Sequence, residues 1–332
     1  MPSSTTIYSS RGLDAVFATA ALASTLYKKG YRVFVEFPKP SDIGRINIVN
    51  SYSIDITHLN NVAIKNAIAI THVPLKRLGL VYKYDNDGKY NTTMKLNNIN
   101  STLEVALEYI RTLNDSIFIP QELLKDLSYI KFKELTRLTR VGRTIYYAYR
   151  WGLGRDETLL SLYNYAYLLF TTKNVKITSE IEKDAKNYEQ ALSLINTIIN
   201  EGIYEKVGDS AIIVISNKYD GNELLKNNIH YLRVVANELL GNLCKNHKMA
   251  VMVFENYSGH EVRLCINKNL NLDVDKVLNN LPNDLSDVIE VKSAKTYAYI
   301  TFKNPENGTL DNSLKVSQAI LSCAGVFFKQ SQ

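Results

Sequence analysis

The chain has 332 residues, enough at roughly 150 residues per domain for two domains with full hydrophobic cores. Hydrophobic residues make up 45% and charged residues 22%, a composition that excludes disordered and fibrous classes. Three cysteines (Cys244, Cys265, Cys323) are too few for a disulfide framework, and the apolar stretch 15–23 is far shorter than the ~18 residues a membrane span needs, so the expectation is a cytoplasmic chain with no membrane contact.

The first sixty residues alternate strand and helix. Thr5–Ser9 reads as a strand, Leu13–Lys28 as an apolar helix closed by Gly30, and Tyr31–Phe37 as a second strand. Short strands are expected at Arg45–Val49, Ser53–Ile56 and Ala67–His72, and strand–helix–strand order implies a parallel sheet. Leu78–Tyr84 and Tyr90–Leu96 flank Asn86-Asp87-Gly88, a hairpin signal. Residues 101–169 turn helical, opening on a capping box at Ser101–Glu104.

Thr171–Thr178 is an unpatterned linker start, and Ser179–Asn200 reads as a connecting helix. A second α/β unit follows: strand Ser210–Ser216, helix Glu223–Lys245, strands Met249–Glu255 and Glu261–Asn267. A short helix, strands near Val288–Val291 and Tyr297–Phe302, and a closing helix Asn312–Cys323 complete it. The expected domains are therefore 1–178, with a helical region at 101–169, a connector at 179–205, and 206–332.

The net charge of +6 has one source. Residues 125–155 hold eight basic and two acidic side chains, and the remainder of the chain is balanced. Lys133, Arg137 and Arg140 fall at i, i+4 and i+7, which predicts one helical face, with Arg143 beside them. Such a stripe suits a phosphate backbone or an acidic protein partner, and it is also what an ordinary solvated helix carries. Tyr146, Tyr147, Tyr149 and Trp151 lie next to it, placed either to stack bases or to pack the helix.

No phosphate-binding G-x-x-x-x-G-K-[ST] loop and no G-x-S-x-G elbow occurs. Cys244, His247, His260 and Cys265 have zinc-like spacing, but two apolar strands lie within the interval, so buried thiols and turn histidines are the expected reading. Gly152 and Gly154 mark either a loop that approaches a ligand closely or a plain helix break.

The strand Thr6–Ser9, followed by Ser10-Arg11-Gly12-Leu13-Asp14-Ala15 and an Ala-rich helix, resembles the first motif, H-x-D-x-D-G, of the DHH phosphoesterase family, which includes the RecJ nucleases. Ser10 stands at the His position, Gly12 at the first Asp, Asp14 at the second Asp and Ala15 at the Gly. Ser53-Ile54-Asp55-Ile56 resembles the second motif, and Thr71-His72-Val73 the D-H-H signature, of which only His72 survives. Asp156 falls where a fourth motif would end. In the second unit, Cys265 and Asn267 occupy the S-x-R positions of the DHH-associated domain, and its G-G-G-H stretch should lie within residues 281–295, which contain neither Gly nor His.

The resemblance implies an α/β fold with a mainly parallel, helix-flanked sheet, a helical insertion and linker helix, and a smaller DHH-associated domain. It also implies that the chemistry has gone. The family's two divalent metals need a dense shell of Asp and His, and this chain offers Asp14, Asp55, His72 and Asp156. That set leaves room for one weakly bound Mn or Mg ion and points away from a two-metal hydrolase. Asp14 and Asp55 then serve as helix caps or as acceptors for backbone donors at strand ends. A DHH chain stripped in this way is similar to the cell division control protein 45 family and its short archaeal RecJ-like relatives. That likeness implies a non-enzymatic replication scaffold that binds GINS, supports the MCM helicase and contacts single-stranded DNA. The basic residues Lys133, Arg137, Arg140 and Arg143 are the expected DNA or partner surface. The alternative is a manganese-dependent phosphodiesterase or single-strand exonuclease of the RecJ type.

Overall fold

The computed structural model describes residues 3–330 apart from 153–154, 174–175, 257–258 and 271. The chain packs as two units, Met1–Tyr188 and Glu189–Gln332. The division between them falls within the helix Ser179–Asn200.

The first unit begins with β1 (Ser4–Ser9), α1 (Leu13–Lys28) and β2 (Arg32–Glu36), followed by β3 (Asn47–Val49), β4 (Tyr52–Ile54), β5 (Ala63–Lys65) and β6 (Ile68–Val73). The hairpin strands β7 (Leu78–Tyr84) and β8 (Tyr90–Asn97) come next. Then come the helices α2 (Thr102–Thr112), α3 (Gln121–Lys131), α4 (Arg140–Trp151), α5 (Asp156–Thr172) and α6 (Ser179–Asn200).

The main sheet has the order β2-β1-β4-β6-β7-β8. Its first four strands are parallel, and the last two are antiparallel additions. Parallel strands bring their carboxyl ends to one rim, the usual ligand edge of an α/β sheet. Here that rim carries Ser10, Asp55 and Val73, with Asp14 in the first turn of α1.

Helix α1 is buried from Leu13 to Leu26, and Ala, Leu, Val and Phe fill ten of those fourteen positions. A helix apolar all round must be covered on every side; α2 and α5 pack against it, and Phe17 meets the edges of the Tyr165 and Phe170 rings. Its buried hydroxyls Thr19 and Ser24 return to backbone carbonyls at 2.8 Å. The pair β3–β5 contributes Ile48 and Ile64 to a second, smaller core with Ile56, Ala69 and Tyr84.

The second unit contains β9 (Glu205–Val207), β10 (Ser210–Ile215), α7 (Glu223–Asn227), α8 (Ile229–Asn246), β11 (Met249–Asn256), β12 (Gly259–Ile266), α9 (Val274–Leu278), α10 (Asn283–Ser286), β13 (Ile289–Ala294), β14 (Tyr297–Phe302) and α11 (Leu310–Gln330). Its sheet runs β13-β14-β12-β11-β10-β9 and is parallel only between β10 and β11. Alternate residues such as Val251, Val253, Val262 and Leu264 form one core with Val316 and Ile320 of α11. The intervening Arg263 turns to the other face, where it reaches Asn237 of α8. Among the described residues, no helix is long and apolar enough to cross a membrane.

Candidate functional site

Three positions of the sequence-derived set meet at the carboxyl rim of the first sheet. Asp14 is buried in the first turn of α1, yet both its oxygens leave that helix: Oδ2 accepts the Thr102 N–H at 2.6 Å and Oδ1 the Leu103 N–H at 3.1 Å. These are unpaired donors of the first turn of α2, so Asp14 caps that helix from outside, alongside its own N-cap Ser101, whose hydroxyl accepts the Glu104 N–H.

Asp55 follows β4 in a left-handed conformation, φ 54°, which an Asp tolerates better than most residues. Its Oδ1 accepts the Thr71 hydroxyl at 3.1 Å and the His72 N–H at 3.2 Å, and its Oδ2 accepts the Thr102 hydroxyl at 2.7 Å. His72 faces away: its Nε2 pairs with the Ile99 carbonyl at 2.9 Å, and its buried Nδ1 has no partner.

The group that organises this cluster is Lys131, the last residue of α3. Its Nζ donates to Asp14 Oδ2 at 2.8 Å and to Thr102 Oγ1 at 3.1 Å, and lies 3.9 Å from Asp55 Oδ2. Sequence reading counts Lys131 only as one charge of a basic stretch; nothing local signals its destination, 117 residues from Asp14. Burial opposes the charge on Lys131, but the Asp14 and Asp55 carboxylates outweigh it and hold its pKa above the ordinary lysine value. Burial pushes the Asp55 carboxyl above the usual range, although Lys131 pulls the other way. Burial, then the nearby ammonium, lowers the His72 pKa, so the imidazole favours its neutral form.

A two-metal centre does not fit these residues. An ammonium stands between the two carboxylates, all four carboxylate oxygens already accept protein donors, and among the described residues no three His, Cys, Asp or Glu side chains converge on a metal position. Ser10 and Gly12, the two first-motif positions singled out by the sequence resemblance, serve backbone roles: Ser10 N–H pairs with the Ile54 carbonyl, and Gly12 is the N-cap residue of α1. Asp156 does not join the cluster. It lies exposed in the first turn of α5 and pairs with Arg11 at 2.6 Å.

The expected basic helical face is corrected by the structure. Lys133 sits at φ 61° in the turn that ends α3, Arg137 closes a short 3₁₀ turn, and Arg140 begins α4. The helix stops because buried Asp126 of α3 binds the Thr139 N–H at 2.9 Å and the Thr139 hydroxyl, fixing the start of a new helix there. The four side chains Lys133, Arg137, Arg140 and Arg143 are all exposed. Arg137 is engaged by Glu134 at 2.6 Å and lies over the Tyr129 ring. The neighbouring aromatics are packing residues: Tyr146, Tyr147, Tyr149 and Trp151 are half-buried, and the Tyr149 hydroxyl donates to the Arg11 carbonyl at 3.1 Å.

Gly152 is explained by close packing, because a Cβ there would fall 2.1 Å from Thr158 Oγ1. Gly154 lies outside the described residues. The zinc-like quartet does not form a metal site: His260 pairs with Ser216 at 2.8 Å, His247 with the Tyr204 hydroxyl at 3.3 Å, the Cys265 thiol with the Ile266 carbonyl at 3.9 Å, and Cys244 is a buried free thiol. Asn267 donates to the Cys244 carbonyl at 3.0 Å and the His247 carbonyl at 3.3 Å, finishing the end of α8.

The pGpG-specific phosphodiesterase PggH from Vibrio cholerae has a similar structure, with a TM-score of 0.52 and 10% sequence identity, over 96% of this chain and 97% of that one. RecJ from Thermus thermophilus in complex with Mn2+ is similar at a TM-score of 0.44 and 10% identity, over 97% of this chain and 52% of that one. CDC45 from Entamoeba histolytica is similar at 0.44 and 9% identity, over 97% and 95%. No family model matches the sequence, and no curated protein matches it. The class defined is a two-unit α/β chain that shares its fold with that phosphodiesterase; at 10% identity the likeness is one of fold.

Proposed function

We propose that this chain is a non-catalytic scaffold of the DNA replication machinery that binds GINS, supports the MCM helicase and contacts single-stranded DNA. The observation that supports the non-catalytic part is the Lys131 ammonium 2.8 Å from Asp14 and 3.9 Å from Asp55, where a metal-dependent hydrolase needs free carboxylates. The partners come from the resemblance of the sequence to the cell division control protein 45 family.

Lys133, Arg140 and Arg143 supply the contact surface in this reading. They are exposed, and the positive end of α4 adds to the field of Arg140 and Arg143. Manganese-dependent phosphodiester hydrolysis is the competing reading, and only the fold stands behind it. Affinity purification of the tagged protein from nuclease-treated native lysate tests the proposal. GINS subunits at near-equal stoichiometry, with MCM in lesser amount, are the expected result; recovery of the chain alone contradicts it.

A further inference from the structure

We infer that β2 is a docking edge for a second copy of this chain. The second copy adds its own β2 antiparallel about a two-fold axis at Phe34, which joins the two main sheets into one. This goes beyond the scaffold reading and does not depend on it.

The backbone is laid out for such pairing. β2 ends the main sheet and, among the described residues, pairs only with β1. The Arg32 N–H donates to the Ser3 carbonyl at 2.9 Å. In an unbroken parallel ladder alternate residues aim N–H and C=O to the same side, so Arg32, Phe34 and Glu36 face β1 while Val33 and Val35 present both groups to the open edge. Two copies centred on Phe34 set Val33 of each opposite Val35 of the other, the arrangement in which facing residues exchange both hydrogen bonds. Free edges are normally blunted against such contacts. The opposite edge strand, β8, has a bulge in its pairing with β7, whereas β2 has neither a bulge nor a proline.

The side chains select the partner. Arg32-Val33-Phe34-Val35-Glu36 is its own antiparallel complement: Arg32 falls opposite Glu36 of the second copy, Phe34 opposite Phe34, and Glu36 opposite Arg32. These three share one face and are exposed, Phe34 by 46%, with the Arg32 guanidinium 5.0 Å from the centre of its ring. Opposite charges that face each other across strands stabilise the pair, and like charges destabilise it. A two-fold centred on Arg32 or on Glu36 would set like charges together, and one centred on either valine would leave both charges without a complement. On the other face Val33 and Val35 pack into the core, and the Phe37 ring meets the edge of the Tyr163 ring of α5 at 6.2 Å. Helix α5 therefore flanks the same edge, with its Leu160 and Leu168 each 48% exposed. A two-fold axis normal to the sheet keeps α5 on the same side in both copies, so these leucines add apolar surface beside the strand pair.

Sedimentation equilibrium of the purified full-length chain across the micromolar range tests the inference. Wild type should populate a dimer there. Arg32→Glu and Glu36→Arg should each raise the dimer dissociation constant about tenfold, because each sets like charges opposite at both symmetric positions. The double variant Arg32→Glu/Glu36→Arg restores the complement and should return to within about threefold of wild type. Phe34→Cys should give a disulfide-linked dimer under mild oxidation, since a facing pair without mutual hydrogen bonds is the close kind, and wild type should give none. The inference is overturned by a wild type that stays monomeric, by a dimer indifferent to both reversals, by a double variant no better than the single ones, or by a Phe34→Cys protein that does not cross-link. Capture of a different protein that Arg32→Glu abolishes, with no self-association, would assign the edge to that other chain and overturn it as well.

Discussion

Asp14 and Thr102 are 88 residues apart in sequence, yet the Asp14 carboxylate accepts the Thr102 N–H at 2.6 Å and thereby caps a helix to which it does not belong. The Asp14 carboxylate is thus a joint between α1 and α2. Its second oxygen takes Leu103, and Lys131 donates to the first, so both oxygens hold protein donors.

Asp14→Ala should therefore destabilise the protein as a structural change. The loss is about 3–5 kcal/mol, because it strands two helix N–H groups and a largely buried ammonium together. Asp14→Asn, which keeps one acceptor, should lose less. Urea unfolding of the three proteins checks the order; an Asp14→Ala protein as stable as wild type would show that the cap contributes nothing.

The cationic surface gives a prediction of the opposite kind. Arg140→Glu combined with Arg143→Glu should weaken single-stranded DNA binding and lower its salt slope by about 2, while stability changes by no more than about 0.5 kcal/mol per site. Binding measured across a range of salt concentrations, beside an unfolding curve, separates the two effects. An unchanged slope and unchanged capture of partners would remove this surface from the account.

Much of the fold was legible because its signals are local. Leu13–Lys28 and Ser179–Asn200 appear with the bounds their patterns suggest, and Asp85–Lys89 closes the hairpin with Gly88 at φ 81°. The three-residue strand β5 was invisible, being too short to display alternation. A helix read across Glu223–Lys245 is broken at Asn228, where the backbone leaves helical geometry. Lys133, Arg137 and Arg140 show why spacing alone misleads: the period is helical, but a left-handed residue and the Asp126–Thr139 anchor interrupt the helix between them. Asp14, Asp55 and His72 could be singled out from motif positions, whereas Lys131 could not. Its role depends on tertiary packing that brings α3 to the rim.

Gly152 supplies a packing test. Gly152→Ala would drive a methyl into Thr158, which itself donates to Asp184 at 2.9 Å, and should cost about 1–3 kcal/mol. Gly44→Ala, at a position with open space and no left-handed backbone, should be close to neutral. Equal unfolding midpoints for the two variants would mean that α4 and α5 are less tightly apposed than the distances state.

The second unit carries an acid-sensitive contact. Burial pushes the Glu255 pKa up, but the Ser216 hydroxyl at 2.8 Å, the Asn217 N–H at 2.7 Å, His260 and Arg233 together bring it below the ordinary value. A carboxylate with a lowered folded pKa binds fewer protons folded than unfolded, so its contribution is complete above the unfolded value near 4.5 and is lost as pH falls through the folded one. Glu255→Gln should therefore lower stability at pH 7 and flatten the decline below pH ~4.5. Parallel pH-dependent denaturation of variant and wild type would refute this if the two curves kept a constant separation.

Whether the rim performs metal-dependent chemistry is tested most directly by hydrolysis of single-stranded DNA and of pGpG by the purified wild-type chain in manganese. No turnover of either substrate is predicted, in manganese or in EDTA. Manganese-dependent turnover that disappears in a folded Asp55→Asn variant would contradict the account and make the rim an active site.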